Sequence, residues 1–516
     1  MQDCTTRSTS RWISSRLFLR SVLTAVAIVS LPIASAVAVD SRSVAEHLAH
    51  AIRFPTVSPA DPADFDGQPF LDLAAYLRDA YPLVHSNLEV ERIADYSLLY
   101  TWRGTNPDLD SALFMSHLDV VPVEPGTESE WTHPPFAGVI DDGFVWGRGA
   151  LDIKCGVIVW LEAVEALLAE GIVPERTIHL AFGHDEELGG QQGAAAIART
   201  LEDRGTRIAL LFDESGSISE DNPLLPGQLT AMVFVAEKTY LTLKLTAHGR
   251  GGHSSIPPRH TSIGKLATAI HRLEASPMPA RLTPPMRAML EASAPYQTGV
   301  RRFAFDHLWL TEGSILRSLL KDDIQRVMVQ TSTAVTVIRG GVKDNVVPTT
   351  AEALVNFRLL PGDTLEDVIA HVREAIDDPE IEIESSNWSA APPPADLDGA
   401  GFRLVQESVH AVLPEAVILP ALLPGATDTR HYTAIAKDAY RFVPVRVDMD
   451  LMEGFHGLDE RMGVEYLGQA VEIAEEMIRR SALPEEEIES AGPGAQGRHT
   501  YVEVGGVTRH RFGEGR

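Results

Sequence analysis

From Ser41 onward the apolar positions alternate between two periods. Ser43–Ile52, Phe70–Ala80 and Val157–Glu170 carry apolar residues three and four apart and predict helices. Short unbroken apolar runs at Ser111–Met115, Thr177–Phe182 and Ile208–Phe212 predict buried strands. Helix and strand patterns that alternate in this way predict an α/β fold with a mainly parallel central sheet. Residues at the C-terminal ends of such strands stand where α/β sheets carry their sites.

The texture changes near Ala236. Tyr240–Ala247, Ala334–Arg339 and Ala351–Leu359 alternate apolar and polar residues, as antiparallel strands with one solvated face do. Helical periods occupy Ser262–Leu273 and Thr364–Ala375, and 278–321, Pro-rich and then Leu-rich, reads as a mostly helical embellishment. After the Pro-rich 390–394 segment, Phe402–Val412 and Met462–Ser481 read as helices that return to the first layer. The predicted division is 41–235 and 389–483 as two parts of one α/β domain, with 236–388 inserted as an α+β domain. Residues 484–516, acidic and then Gly-rich, read as a disordered tail.

Composition narrows the functions. Of 516 residues, 44% are hydrophobic and 22% charged, enough for a well-buried core in more than one domain. Asp plus Glu number 72 against 44 Lys plus Arg, a formal charge of −28, which argues against nucleic acid or anionic lipid as partner. An anionic small substrate would need local positive charge at its site. Residues 1–38 stand apart: Arg7, Arg11, Arg16 and Arg20 precede an apolar run from Val22, and Ala34-Ser35-Ala36 and Ala36-Val37-Ala38 offer small-x-small cleavage sites. This predicts export, to a secreted or periplasmic location after cleavage. The alternative is an N-terminal membrane anchor, since the run is nearly long enough to span a bilayer. Cys4 lies in this segment, so Cys155 is left without a partner for an intrachain disulfide.

Five short segments concentrate metal-type ligands. His117 and Asp119 end one apolar strand two residues apart, where strand geometry puts both on one face and lets Asp119 orient the imidazole. Gly147-Arg148-Gly149-Ala150-Leu151-Asp152 offers a tight turn that could aim a carboxylate. His184-Asp185-Glu186-Glu187 ends another strand, where four ionisable groups repel one another unless a cation compensates. Asp213-Glu214 ends a third, and His456-Gly457-Leu458-Asp459-Glu460 precedes the last long helix. Each alone could be a cap or a solvated turn. Together they supply a mixed nitrogen and oxygen set suited to zinc, with one carboxylate free to bridge two ions.

Read in order, these segments, with Gly249-Arg250-Gly251-Gly252-His253-Ser254-Ser255 and Asp344-Asn345-Val346-Val347-Pro348, resemble the dizinc metallopeptidases that include carboxypeptidase S, aminoacylase and the N-fatty-acyl amino acid hydrolases. The resemblance runs from about Ser43 to Ser481. It implies a zinc-peptidase catalytic domain with an inserted lid, two Zn²⁺ per chain, and a small peptide or N-acyl amino acid as substrate. Asp152 would bridge the zincs, with His117 and Asp213 on one and Glu187 and His456 on the other. Glu186 would be the general base, with Asp119 supporting the catalytic set. His253 would stabilise the oxyanion from the lid. Asn345 and Arg358 would contact the substrate, Arg358 as a clamp for its carboxylate and Arg430 as a second candidate. In some relatives the lid histidine crosses from a partner subunit, which makes the lid a candidate dimerisation domain. Ile153 stands where the family often has a second acid, which puts the tuning around the metals in question. Cys155 reads as a buried small residue. The reading of another class is a catalytically silent zinc- and peptide-binding protein, against which Glu186 argues because binding alone needs no base.

Overall fold

The computed structural model describes residues 39–388, 392–484 and 488; the expected signal or anchor and nearly all of the expected tail lie outside them. The central sheet runs, in spatial order, Glu89–Ile93, Ser97–Trp102, Ile178–Gly183, Ser111–His117, Ile208–Asp213, Ala436–Arg441, Thr230–Glu237 and Val417–Leu423. It is mostly parallel, with Ser111–His117 lying between two parallel neighbours. Ser97–Trp102, Ser111–His117, Ile178–Gly183 and Ile208–Asp213 are buried along their whole length. That is why the last three read as continuous apolar runs.

Helices cover both faces. Ser41–Ile52, Lys154–Ala169, Ala400–Val412 and Leu467–Ser481 pack over one, where Trp160 meets Phe114 with ring centroids 4.8 Å apart. Ala194–Asp203 covers the other. Two expectations need correction at the C-terminal end. Residues 461–463 are a strand paired antiparallel with Phe144–Trp146, and the helix begins only at Leu467. Val417–Leu423 and Ala436–Arg441 join the sheet, although no strand was expected there; Pro420 is tolerated because its strand lies at the sheet's edge.

A second, wholly antiparallel sheet runs Ser332–Gly340, Thr350–Leu359, Thr239–His248 and Ile381–Trp388. Thr350–Leu359 alternates half-buried and buried residues along its length, and its inner face closes a separate core with Ser262–Ala275 and Leu365–Ile376. The 278–321 stretch is mostly helical, as Pro284–Ser293, Gly299–Asp306 and Leu308–Leu319. No helix among the described residues is long and apolar enough to cross a membrane.

Candidate metal centre and active site

Three neighbouring parallel strands end side by side and deliver acid and imidazole to one place. His117 closes Ser111–His117, Glu186 and Glu187 follow Ile178–Gly183, and Asp213 and Glu214 stand at the end of Ile208–Asp213. Asp152 comes from the turn before Lys154–Ala169, and His456 from a loop where its own φ is +56°.

The carboxylate of Asp152 holds an imidazole on each oxygen. His117 Nε2 lies 3.1 Å from Oδ1 and His456 Nε2 2.8 Å from Oδ2. Glu187 Oε1 is 3.4 Å from His456 Nε2, and Glu214 Oε2 is 3.5 Å from His117 Nε2. Ligand atoms of His117, Asp152 and Glu187 lie within 4.8 Å of one another, as do those of His117, Glu186 and Glu214.

The electrostatics are those of a cation trap. The carboxylates of Asp152 and Glu187 push His456 up to about 10. Burial works against charge on His117, but Glu214, Asp119 and Asp152 outweigh it and hold its pKa well above the ordinary value. Burial, then Glu214 and Asp428, holds Glu186 well above the usual carboxylate range. Glu187 Oε1 is buried, and the approach of His456 Nε2 at 3.4 Å leaves it without a well-formed hydrogen bond. Converging carboxylates with an orphaned oxygen among them fit a divalent metal, and the N/O donor set suits zinc.

Asp213, an expected ligand, does not face His117; its neighbour Glu214 does. Asp213 Oδ2 accepts from Thr429 N at 3.0 Å and Thr429 Oγ1 at 2.7 Å, and Oδ1 accepts from Glu214 N at 2.9 Å. With its carboxylate occupied by donors, Asp213 is turned away, and Glu214 faces His117. Asp119 also differs in detail from expectation. His117 Nδ1 bonds the Asp119 backbone carbonyl at 2.9 Å, with the carboxylate 3.4 Å away. The Asp119 carboxylate accepts from Glu186 N, Glu187 N and Ser58 Oγ, so it holds the turn that carries the two glutamates.

Sequence reasoning missed a buried lock. Glu460, fully buried, accepts through Oε1 from the amides of Gly149, Leu151 and Asp152 at 2.8–3.0 Å, and through Oε2 from Arg148 Nη1 at 2.7 Å. Arg148 Nη2 donates onward to the carbonyls of His456 and Gly457. The pair ties the Asp152 turn to the His456 loop. Its signal was two charged residues inside segments already singled out.

The substrate-side residues fall into two groups. Arg430 is brought to the metal side: its Nη2 is 4.0 Å from Asp428 Oδ1 and borders the Gly189-Gly190 turn. Gly190, at φ +66°, leaves room for Asp428, since a Cβ there would lie 1.9 Å from Asp428 Oδ1. Arg358, half-buried on the second sheet, lies 4.8 Å over the ring of Tyr240 and has no acidic partner among the described residues. Burial, opposed by Tyr240, lowers the Arg358 pKa, and the positive charge of Arg430 adds to the lowering. His253 and Asn345 are brought together elsewhere, at a short antiparallel ladder of residues 252–253 with Val346–Val347, where Ser254 N donates to the Asn345 carbonyl. His253 is exposed, and its Nδ1 bonds Ser255 Oγ at 2.8 Å. Cys155 directs its thiol to the Leu151 carbonyl, away from a ligand role. Of the unassigned histidines, His184 bonds Ser97, His179 bonds Thr101 and His248 bonds Glu382.

Residues 113–480 match the profile described as "Peptidase family M20/M25/M40". A Dictyostelium discoideum protein named probable carboxypeptidase S-like 2 is 37% identical over 449 residues, covering 85% of each chain. The Bos taurus N-fatty-acyl-amino acid synthase/hydrolase PM20D1 is 34% identical over 452 residues, covering 86% of this chain and 88% of its own. Among solved structures, an M20 family metallo-carboxypeptidase from Sulfolobus solfataricus superposes with a TM-score of 0.62 over 85% of this chain and 99% of its own; at 17% identity that likeness concerns the fold.

Proposed function

Because this chain belongs to peptidase family M20/M25/M40 and is a metal-dependent hydrolase of peptide or related amide bonds, we propose that it cleaves an amide adjacent to a free carboxylate, using two zinc ions. One observation carries the reading: a single carboxylate, Asp152, has an imidazole on each of its oxygens. That is the arrangement a ligand shared by two ions requires. In this reading His117 and Glu214 would hold one ion and Glu187 and His456 the other, with Asp152 available to both.

When bound, the ions supply an electrophile for the scissile carbonyl and lower the pKa of an attacking water. The chain supplies the rest. Glu186 takes the water's proton on its carboxylate and later gives it to the departing amine nitrogen. Asp119 keeps that turn in place through the Glu186 and Glu187 amides. Arg358 and Arg430 receive the substrate carboxylate, the local cations that a chain of formal charge −28 needs for an anionic ligand. His253 and Asn345, on the short two-stranded ladder of the 236–388 lid, reach the substrate when the lid closes or when a second chain presents them. Residues 1–38 direct the chain to export.

The relatives divide over the acyl side. We read a long-chain N-acyl amino acid as the second candidate beside a dipeptide, because one relative is named for N-fatty-acyl amino acids. The test is a screen of dipeptides, N-acetyl and N-long-chain-acyl amino acids against their carboxamides, after chelation and again with zinc restored. Hydrolysis should require metal and the free carboxylate. Glu186→Gln should retain metal and lose turnover by about 10²-fold or more. Equal rates on acids and carboxamides, or an active Glu186→Gln protein, would refute the proposal.

A further inference from the structure

The turn at Thr427–Arg430 is held from two sides by buried groups outside the metal set. Glu237 Oε2 accepts from Thr427 N and Oγ1, both at 3.2 Å, and is paired with the fully buried Arg441 at 3.1 Å. At the other end Asp213 Oδ2 takes both donors of Thr429, while Oδ1 takes the amide of Glu214. One carboxylate, 2% exposed, therefore fastens the backbone of a metal-side glutamate to the turn that presents Arg430. Arg430 lies one residue beyond Thr429 and borders Gly189, at the end of the turn that carries Glu186 and Glu187.

We propose that Asp213 is a positioning residue: by gripping Thr429 it fixes Arg430 relative to Glu214, and so holds the guanidinium in place to receive the substrate's carboxylate. An acid at this strand end then serves registry and not ligation. Asp213 and Glu237 frame the turn from its two ends, so that the Arg430 guanidinium need not find its place when substrate arrives. Less conformational freedom is then lost on binding.

This rests on the reading of Arg430 as a carboxylate clamp, and the experiment separates the two. Holoenzyme variants Thr429→Val, Thr429→Ser, Asp213→Ala and Arg430→Gln are assayed on N-lauroyl-leucine and on its carboxamide. Metal content is measured, and the Arg430 side chain is located in crystals of each. Thr429→Val should raise KM for the acid about tenfold, as expected for one misplaced charge-assisted hydrogen bond, with kcat nearly unchanged and the carboxamide unaffected. Thr429→Ser, which keeps the hydroxyl, should restore the parent KM. Asp213→Ala should retain two metal ions per chain and show Arg430 displaced. Loss of an ion from Asp213→Ala, a fall in kcat alone, or equal shifts on acid and carboxamide would overturn the proposal. If Arg430→Gln leaves KM unchanged, the clamp reading itself fails. If Arg430→Gln raises KM and Thr429→Val does not, the coupling through Asp213 fails alone. Metal content and the position of Arg430 decide between ligand and positioning residue even if the parent hydrolyses neither compound.

Discussion

Replacing Glu460 by Gln should weaken both the fold and the metal centre, because one buried carboxylate holds two loops that are far apart in sequence. Glu460 is 0% exposed and Arg148 3% exposed. Three amides, an inter-loop ion pair at 2.7 Å and two onward bonds from Arg148 depend on it. Gln keeps a carbonyl oxygen for the amides of Gly149, Leu151 and Asp152. It places an amide, neutral and a donor, against the guanidinium. Removing one partner of a buried pair destabilises by ~3–5 kcal/mol, chiefly because the other charge is left uncompensated. With the amide bonds retained we expect the lower end, about 3 kcal/mol. Glu460→Ala should exceed it, since each buried amide left without an acceptor adds about 1 kcal/mol or more.

Urea melts of chelated protein measure the fold, and competition with a chelator measures metal affinity. Because the lock orients both the Asp152 turn and the His456 loop, affinity should fall about 10–100-fold, as when outer partners of metal ligands are lost. The double variant Arg148→Met/Glu460→Gln should lose much less than the sum of the single changes, since no buried charge then stands alone. A Glu460→Gln protein within ~1 kcal/mol of the parent and with parental metal affinity would refute the argument, because its premise is an unrelieved buried cation.

Two further outcomes follow from groups away from the lock. Burial, reinforced by Glu170, raises the Glu475 carboxyl from an ordinary 4.5 to about 7. The folded chain therefore keeps this proton where the unfolded chain has lost it, so stability falls as pH rises from 4.5 to 7 and stays flat above. Discounted for partial exposure, Glu475→Gln should gain about 1 kcal/mol at pH 8 and nothing at pH 4; equal gains at both pH values in thermal melts would refute the assignment. Burial also pushes the Cys155 thiol far up and inert, so iodoacetamide at pH 8 should label it only in urea; peptide mapping that finds label on Cys155 in the native protein would count against the packing described here.

What could be read in the sequence was whatever is encoded locally. The strands ending at His117, Gly183 and Asp213 are buried on both faces, so burial demands apolar residues throughout and chemistry can begin only where burial stops. The glutamates and His117 fall at those stops. The helix expected from Met462 failed for a non-local reason: residues 461–463 complete a ladder with Phe144–Trp146, some three hundred positions earlier in the chain, and that pairing overrides the helical period.

The choice between Asp213 and Glu214 shows where such reading ends. Consecutive side chains leave a strand on opposite sides, so one of the pair had to face the metal side and the other away. Which one does so depends on what waits on the far side, and that is Thr429, 216 residues later, whose amide and hydroxyl both donate to Asp213. The Arg148–Glu460 lock spans 312 residues in the same way. In both cases the residue types of the candidate site were legible, because a metal site needs acids and imidazoles whatever the fold. The partner that orients each of them was not, because a buried hydrogen bond constrains two distant positions jointly and leaves no period at either. An Asp213→Glu change would look conservative in sequence, yet the longer arm cannot accept from Glu214 N and both Thr429 donors at the distances seen here. The pair Asp213–Thr429, not the acidic residue alone, is thus the unit that the fold specifies.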